Sequence, residues 1–203
     1  MMTVIVGLKH NGNIYIGGDS AGVRGYEIRQ RNDTKVFIKG SFIFGYTTSF
    51  RMGQILRFAF EPPKRKNGTD IFEYMCTSFI NELRKTFKNH GFFKNDHGTD
   101  QGGEFIVGYA SRLFSIESDF QVAEIVDDFT ACGCAHDLAM GSMFSTKDLI
   151  KDPNERILMA LKAAERYSSA VSMPFVIEKL ESNKVKTLYK RIRRKDNAKG
   201  NED

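Results

Sequence analysis

Residues 3–19 read TVIVGLKHNGNIYIGGD. Two apolar runs, 4–8 and 14–18, flank His10-Asn11-Gly12-Asn13. Asn-Gly is the strongest short hairpin signal, because a two-residue turn needs positive φ at both central positions. A strand with one wet face alternates apolar and polar residues. These runs are nearly continuous, so both faces of the hairpin are expected to be buried. A second hairpin is expected at 35–46, where Lys35-Val-Phe-Ile38 and Phe42-Ile-Phe-Gly-Tyr46 flank Lys39-Gly40-Ser41.

Outward from these hairpins the chain alternates strand runs with helix pairs. A helix is expected from Ser49 to Phe60, stopped by Pro62-Pro63. Asp70 with Glu73 forms a capping-box-like start for a second, in which Phe72, Met75, Phe79, Leu83 and Phe87 recur at helical spacing. The polar stretches 19–33 and 89–102 read as loops. Strands are expected at 104–109, 113–118 and 121–126. Residues 129–134 then lead into a helix with Ala135, Leu138, Ala139, Ser142 and Met143 on one face. Asp152-Pro153-Asn-Glu155 supplies a cap, Pro at the first position and Glu at the third for a helix reaching Tyr167. Strands near 173–180 and 184–190 close the chain. Single crossover helices, the mark of a doubly wound parallel sheet, are absent from this order. The pattern predicts an α+β fold, a four-layer αββα sandwich of two antiparallel sheets, in which every strand buries both faces. One domain over 1–190 and a basic, flexible tail over 191–203 are expected.

The chain has 203 residues and a net charge of +5. Residues 184–195 hold seven Lys or Arg and no acid, so the remainder nets −2. A uniformly basic face for nucleic acid is therefore not expected. Three cysteines (76, 132, 134) are odd in number and few, which suits a reducing cytoplasm. Four scattered histidines and a Cys-Gly-Cys too short for a metal pair predict no metal site. No apolar run reaches membrane-span length, and the N-terminus lacks signal-peptide character.

Thr3 opens the first strand, Asp19 ends the second and Lys35 enters the third. In adjacent antiparallel strands the start of one lies beside the end of its neighbour, so Thr3 and Asp19 share one end of the sheet, within reach of Lys35. Each residue alone has an ordinary use: a β-former, a turn cap, a solvated cation.

At this spacing the sequence resembles the proteasome β-type subunits. It is closest to the peptidase subunit of the bacterial two-component ATP-dependent protease, an N-terminal-nucleophile hydrolase. That family's nucleophile, acid and lysine fall 16 and 32 residues from the first, as Asp19 and Lys35 fall from Thr3. The resemblance implies a threonine peptidase in which Thr3, freed of Met1-Met2, is the nucleophile and its own α-amine the base. It implies that Lys35 lowers the amine pKa, that Asp19 orients Lys35, and that Thr48, in Gly45-Tyr-Thr-Thr48, supplies an oxyanion-hole amide. It further implies that Cys132, in Ala131-Cys-Gly-Cys134, replaces the family's serine beside the amine. The family's late Asp has no clear match, and only Ser168, Ser169 or Ser172 stands nearby. A peptide or unfolded-protein substrate, a homo-oligomeric ring with the 72–87 helix face as a subunit contact, no cofactor, and an ATPase unfoldase partner follow by analogy. A non-catalytic ring subunit and an amidase acting on a small molecule remain open alternatives.

Overall fold

A computed structural model of the chain describes residues 3–24 and 27–182. The expected strand at 184–190 and the tail at 191–203 lie outside them. The opening hairpin forms as expected: β1 (Ile5–His10) and β2 (Asn13–Asp19) pair through Asn11 and Gly12 at φ 49° and 75°. β13 (Phe175–Leu180) flanks β2, and β12 (Phe129–Cys132) flanks β1, giving the order β12-β1-β2-β13. The second hairpin is β5 (Val36–Lys39) and β6 (Phe42–Tyr46). It continues through β9 (Phe105–Tyr109), β10 (Arg112–Ile116) and β11 (Val122–Glu124) into a five-stranded antiparallel sheet.

Strand alternation explains the layers. Ile5, Ile14 and Ile16 face inward and meet Val36, Ile43, Ile106 and Leu113 of the opposite sheet. Val4, Val6, Leu8 and Tyr15 face outward and pack with Ala139 and Met143 of α4 (His136–Ser145) and Ile157 and Leu161 of α5 (Pro153–Tyr167). On the other side Phe44, Phe105 and Phe114 meet α1 (Phe50–Phe58) and a long helical segment. That segment comprises α2 (Ile71–Tyr74), a π turn (Met75–Phe79) and α3 (Ile80–Asn89). The sheets come close enough that a Cβ on Gly45 would lie 2.5 Å from Cγ2 of both Ile5 and Ile16. The αββα sandwich is thus the architecture, with continuous apolar runs because the central strands of the two main sheets have helices on one face and a sheet on the other.

Four expectations need correction. The loop expected at 19–33 contains a hairpin, β3 (Ala21–Arg24) with β4 (Glu27–Gln30), whose polar sequence gives no apolar alternation. The loop expected at 89–102 holds another, β7 (Lys94–Asp96) with β8 (Thr99–Gln101). Residues 129–132, expected only as a lead-in to a helix, do precede α4 but are themselves a strand in the first sheet. Met75, Phe79, Leu83 and Phe87 are fully buried in the intramolecular core, and only Phe72 of that face is exposed. The 72–87 face is therefore core, which removes it as a subunit contact.

Candidate active site

Register builds the site. β1 and β2 pair Ile5 with Gly18, so one step further Val4 lies opposite Asp19. The Asp19 carboxylate accepts from the amides of Val4 (3.2 Å) and Ala21 (3.1 Å) and from the Thr3 hydroxyl. Lys35 comes from the other sheet, immediately before β5, with its carbonyl held by Tyr46 N at 3.0 Å. Its Nζ donates to Thr3 Oγ1 at 2.7 Å and to both Asp19 oxygens at 2.9 Å. Thr3, Asp19 and Lys35 are all essentially without exposure. Burial pulls the Lys35 ammonium below its ordinary pKa, with the Asp19 carboxylate acting in the opposite sense. A buried ion pair holds only when its remaining hydrogen-bond capacity is met. Here the carboxylate has four donors: two backbone amides, a hydroxyl and the ammonium.

Thr48 sits at φ 60°, a conformation that glycine adopts freely and a β-branched residue rarely does. Ser49 N donates to Thr47 O at 2.6 Å, closing a three-residue turn around Thr48. Glu104 clamps that turn: Thr47 N and Oγ1 donate to Glu104 O, and Glu104 N donates to Thr48 Oγ1 at 3.0 Å. No hydrogen bond among the described residues uses the Thr48 amide.

The thiol beside Thr3 N is Cys134, not Cys132. β12 pairs Cys132 with Ile5 and turns its side chain into the core between the sheets, where burial pushes its thiol pKa up. Continuing that register two residues puts Cys134 opposite Thr3. Its Sγ accepts from Thr3 N at 3.3 Å and donates to Thr3 O at 3.5 Å. Gly133 makes this approach possible: φ is 98°, and a Cβ there would lie 2.5 Å from Thr3 O. Alternation along 129–134, had those residues been read as a strand, would have separated the two cysteines. Among the described residues no hydrogen bond joins Ser168, Ser169 or Ser172 to Thr3; Ser168 Oγ accepts from Ala170 N, and Ser172 O accepts from Ser20 N. No grouping of His, Cys, Asp and Glu among the described residues could hold a metal ion.

The architecture is shared with solved proteins. Thiobacillus denitrificans BPH superposes with a TM-score of 0.75 at 20% identity, over 88% of this chain and 98% of that one. This is the proteasome-type N-terminal-nucleophile hydrolase fold. Other structures with the proteasome-type fold include HslV from Trypanosoma brucei, with a TM-score of 0.61 at 16% identity over 88% and 99% of the two chains. An Anbu mutant from Hyphomicrobium sp. strain MC1 matches with a TM-score of 0.61 at 13% identity over 96% of each. No protein-family model matches the sequence, and no curated protein does. The proteasome-type fold is thus recognised through its backbone.

Proposed function

We propose that the protein is a threonine peptidase whose nucleophile is Thr3. The observation that carries this reading is the Lys35 ammonium 2.7 Å from Thr3 Oγ1, locked by Asp19 in a buried pocket at the end of β1 and β2. A threonine hydroxyl attacks a peptide only when a base takes its proton. The α-amine of an N-terminal residue titrates near 7.7–8.0, and an adjacent ammonium lowers that value, leaving the amine neutral at working pH. While Met2 is attached, the same nitrogen is an amide and cannot act as the base, so activity requires removal of Met1-Met2.

Thr3 Oγ1 bonds to the substrate carbonyl carbon as its proton passes to the amine, directly or through one water. The tetrahedral oxyanion takes the Thr48 amide, a type of contact worth roughly 3–4 kcal/mol in acyl transfer. The ammonium returns the proton to the leaving nitrogen as the C–N bond breaks, leaving an ester on Thr3. Water then attacks that ester, its proton goes to the amine, and carboxylate release restores the hydroxyl. Lys35 steadies negative charge on Oγ1 throughout, and Asp19 fixes Lys35. Cys134 holds the amine in place of the Cys132 expected from sequence. The neighbour BPH, also solved in complex with epoxomicin, suggests the probe. By analogy with the family that the sequence resembles, the protein works as a homo-oligomeric assembly in the cytoplasm on unfolded polypeptide delivered by an ATPase.

Intact mass before and after epoxomicin tests the reading. Chains beginning at Thr3 that gain one inhibitor mass support it. Chains beginning at Thr3 that gain none favour a second reading, a non-catalytic subunit, for which the unusual backbone at Thr48 speaks.

A further inference from the structure

A cavity of about 380 Å³ opens beside the Thr48 turn, between the β3–β4 hairpin and the start of α1. Val23, Glu27, Arg29, Arg31, Ser49 and Phe50 contribute to its wall. It adjoins the cluster at Thr3, since the Phe50 ring centroid is 5.7 Å from Lys35 Nζ. We propose that this cavity selects substrates carrying an acidic side chain, Glu or Asp, at the residue before the cleaved bond, with Arg31 as the specificity-determining group. This assignment rests on the peptidase reading for its place in the reaction.

Arg31 is pre-positioned in two ways. Its guanidinium carbon lies 3.9 Å from the Phe50 ring centroid, stacking the cation on the aromatic face. Asp33 grips Nε and Nη2 at 2.7 and 2.6 Å, which leaves Nη1 without a partner among the described residues. Arg29 repeats the pattern: Nε and Nη2 both donate to Glu27 Oε1, and Nη1 is left over. The Ser49 hydroxyl accepts from Arg51 N and retains its own proton for donation. Against these donors stands one unpaired carboxylate oxygen, Glu27 Oε2. The wall therefore carries more unused donors than unused acceptors, while Glu27 and Asp33 balance the two guanidinium charges. A carboxylate with two acceptor oxygens matches that surplus, and a guanidinium or ammonium does not. An aliphatic side chain would leave the donors covered and unsatisfied, a large source of discrimination in a site built from polar groups.

The test uses the processed protein and blocked tetrapeptides that differ only before the scissile bond: glutamate, leucine or arginine. The kcat/KM for glutamate is expected to exceed the other two at least tenfold. Arg31→Gln is expected to cut the glutamate-to-leucine ratio at least tenfold, and Arg31→Lys, which keeps the charge without the fork, to cut it less. Asp33→Asn removes the competing carboxylate and is expected to raise the ratio. Leucine or arginine turned over as well as glutamate overturns the assignment. No turnover of any peptide together with no epoxomicin adduct overturns the peptidase reading instead. Calorimetry with the matching C-terminally amidated peptides then decides the cavity. Glutamate bound at least fivefold tighter than leucine and arginine supports it, and equal affinity or no binding overturns it.

Discussion

Lys35 is the residue on which chemistry and stability meet. Removing one member of a buried ion pair leaves the other charge unpaired, at a cost of about 3–5 kcal/mol. Lys35→Ala is therefore expected to abolish epoxomicin labelling and to lower Tm sharply. The double variant Asp19→Asn, Lys35→Met is expected to recover much of the stability and none of the labelling. The pH dependence has two limbs. Activity rises as the Thr3 amine loses its proton and falls as Lys35 loses its own, at a pH below the ordinary 10.5 because burial lowers its pKa. For stability the sign is opposite on the alkaline side. Between the lowered folded pKa and the unfolded value the unfolded chain holds more protons, so Lys35 adds stability as pH rises there. A kcat/KM profile run beside denaturation midpoints from pH 7 to 11 checks both trends. The cysteines give a third residue-scale expectation. Cys134 is exposed and touches Thr3, whereas Cys132 is buried with a raised thiol pKa. Iodoacetamide is expected to modify Cys134 in the folded protein and Cys132 only after unfolding, as peptide mass mapping would report. Modified Cys134 is expected to block epoxomicin.

At the scale of the element, two short turns decide whether the cluster can work. Gly133 places a left-handed kink where its backbone meets Thr3 O. Gly133→Ala adds a side chain to that contact and a strained φ, and is expected to cost roughly 1–3 kcal/mol and most of the turnover. Thr48 presents the converse case. Thr48→Gly relieves the positive φ, worth about 1 kcal/mol, but removes the hydroxyl that accepts from Glu104 N, worth about as much, so the unfolding midpoint is expected to change little while the turn loosens. What sequence conveyed about elements follows the same physics. Asn11-Gly12, the Asp70 cap and Asp152-Pro153 were legible because their signals are local and chemical. The β3–β4 and β7–β8 hairpins were not, because polar residues at a sheet's margin carry no periodicity. The β12 strand was hidden because Phe129-Thr-Ala-Cys132 is short and owes its state to pairing with β1, far away in sequence.

For the whole molecule, the four layers were readable from one property, apolar continuity in strands bounded by helix pairs. The meeting of Thr3 and Asp19 followed from strand ends, since antiparallel pairing fixes which ends meet; Lys35, on the other sheet, was placed with them by the spacing that the sequence shares with the family it resembles. The identity of the thiol beside Thr3 N did not, because it depends on the β1–β12 register and on the kink at Gly133. The donor-lined cavity was also out of reach, since Arg29 lies on, and Arg31 just after, the hairpin that sequence presented as a loop. The inner layer is closely packed. Gly45→Val would force Ile5 and Ile16 apart, and is expected to lower the midpoint of denaturation more than Gly40→Val, where a Cβ meets nothing within 4 Å.

The sealed trio has a consequence for descent. A lineage that no longer needed the reaction could not discard the cation or the anion one at a time without a large loss of stability. Selection for a sound scaffold would alone preserve the hydroxyl's two neighbours, so the hydroxyl itself, the cheapest of the three to exchange, is where a retired relative would first differ.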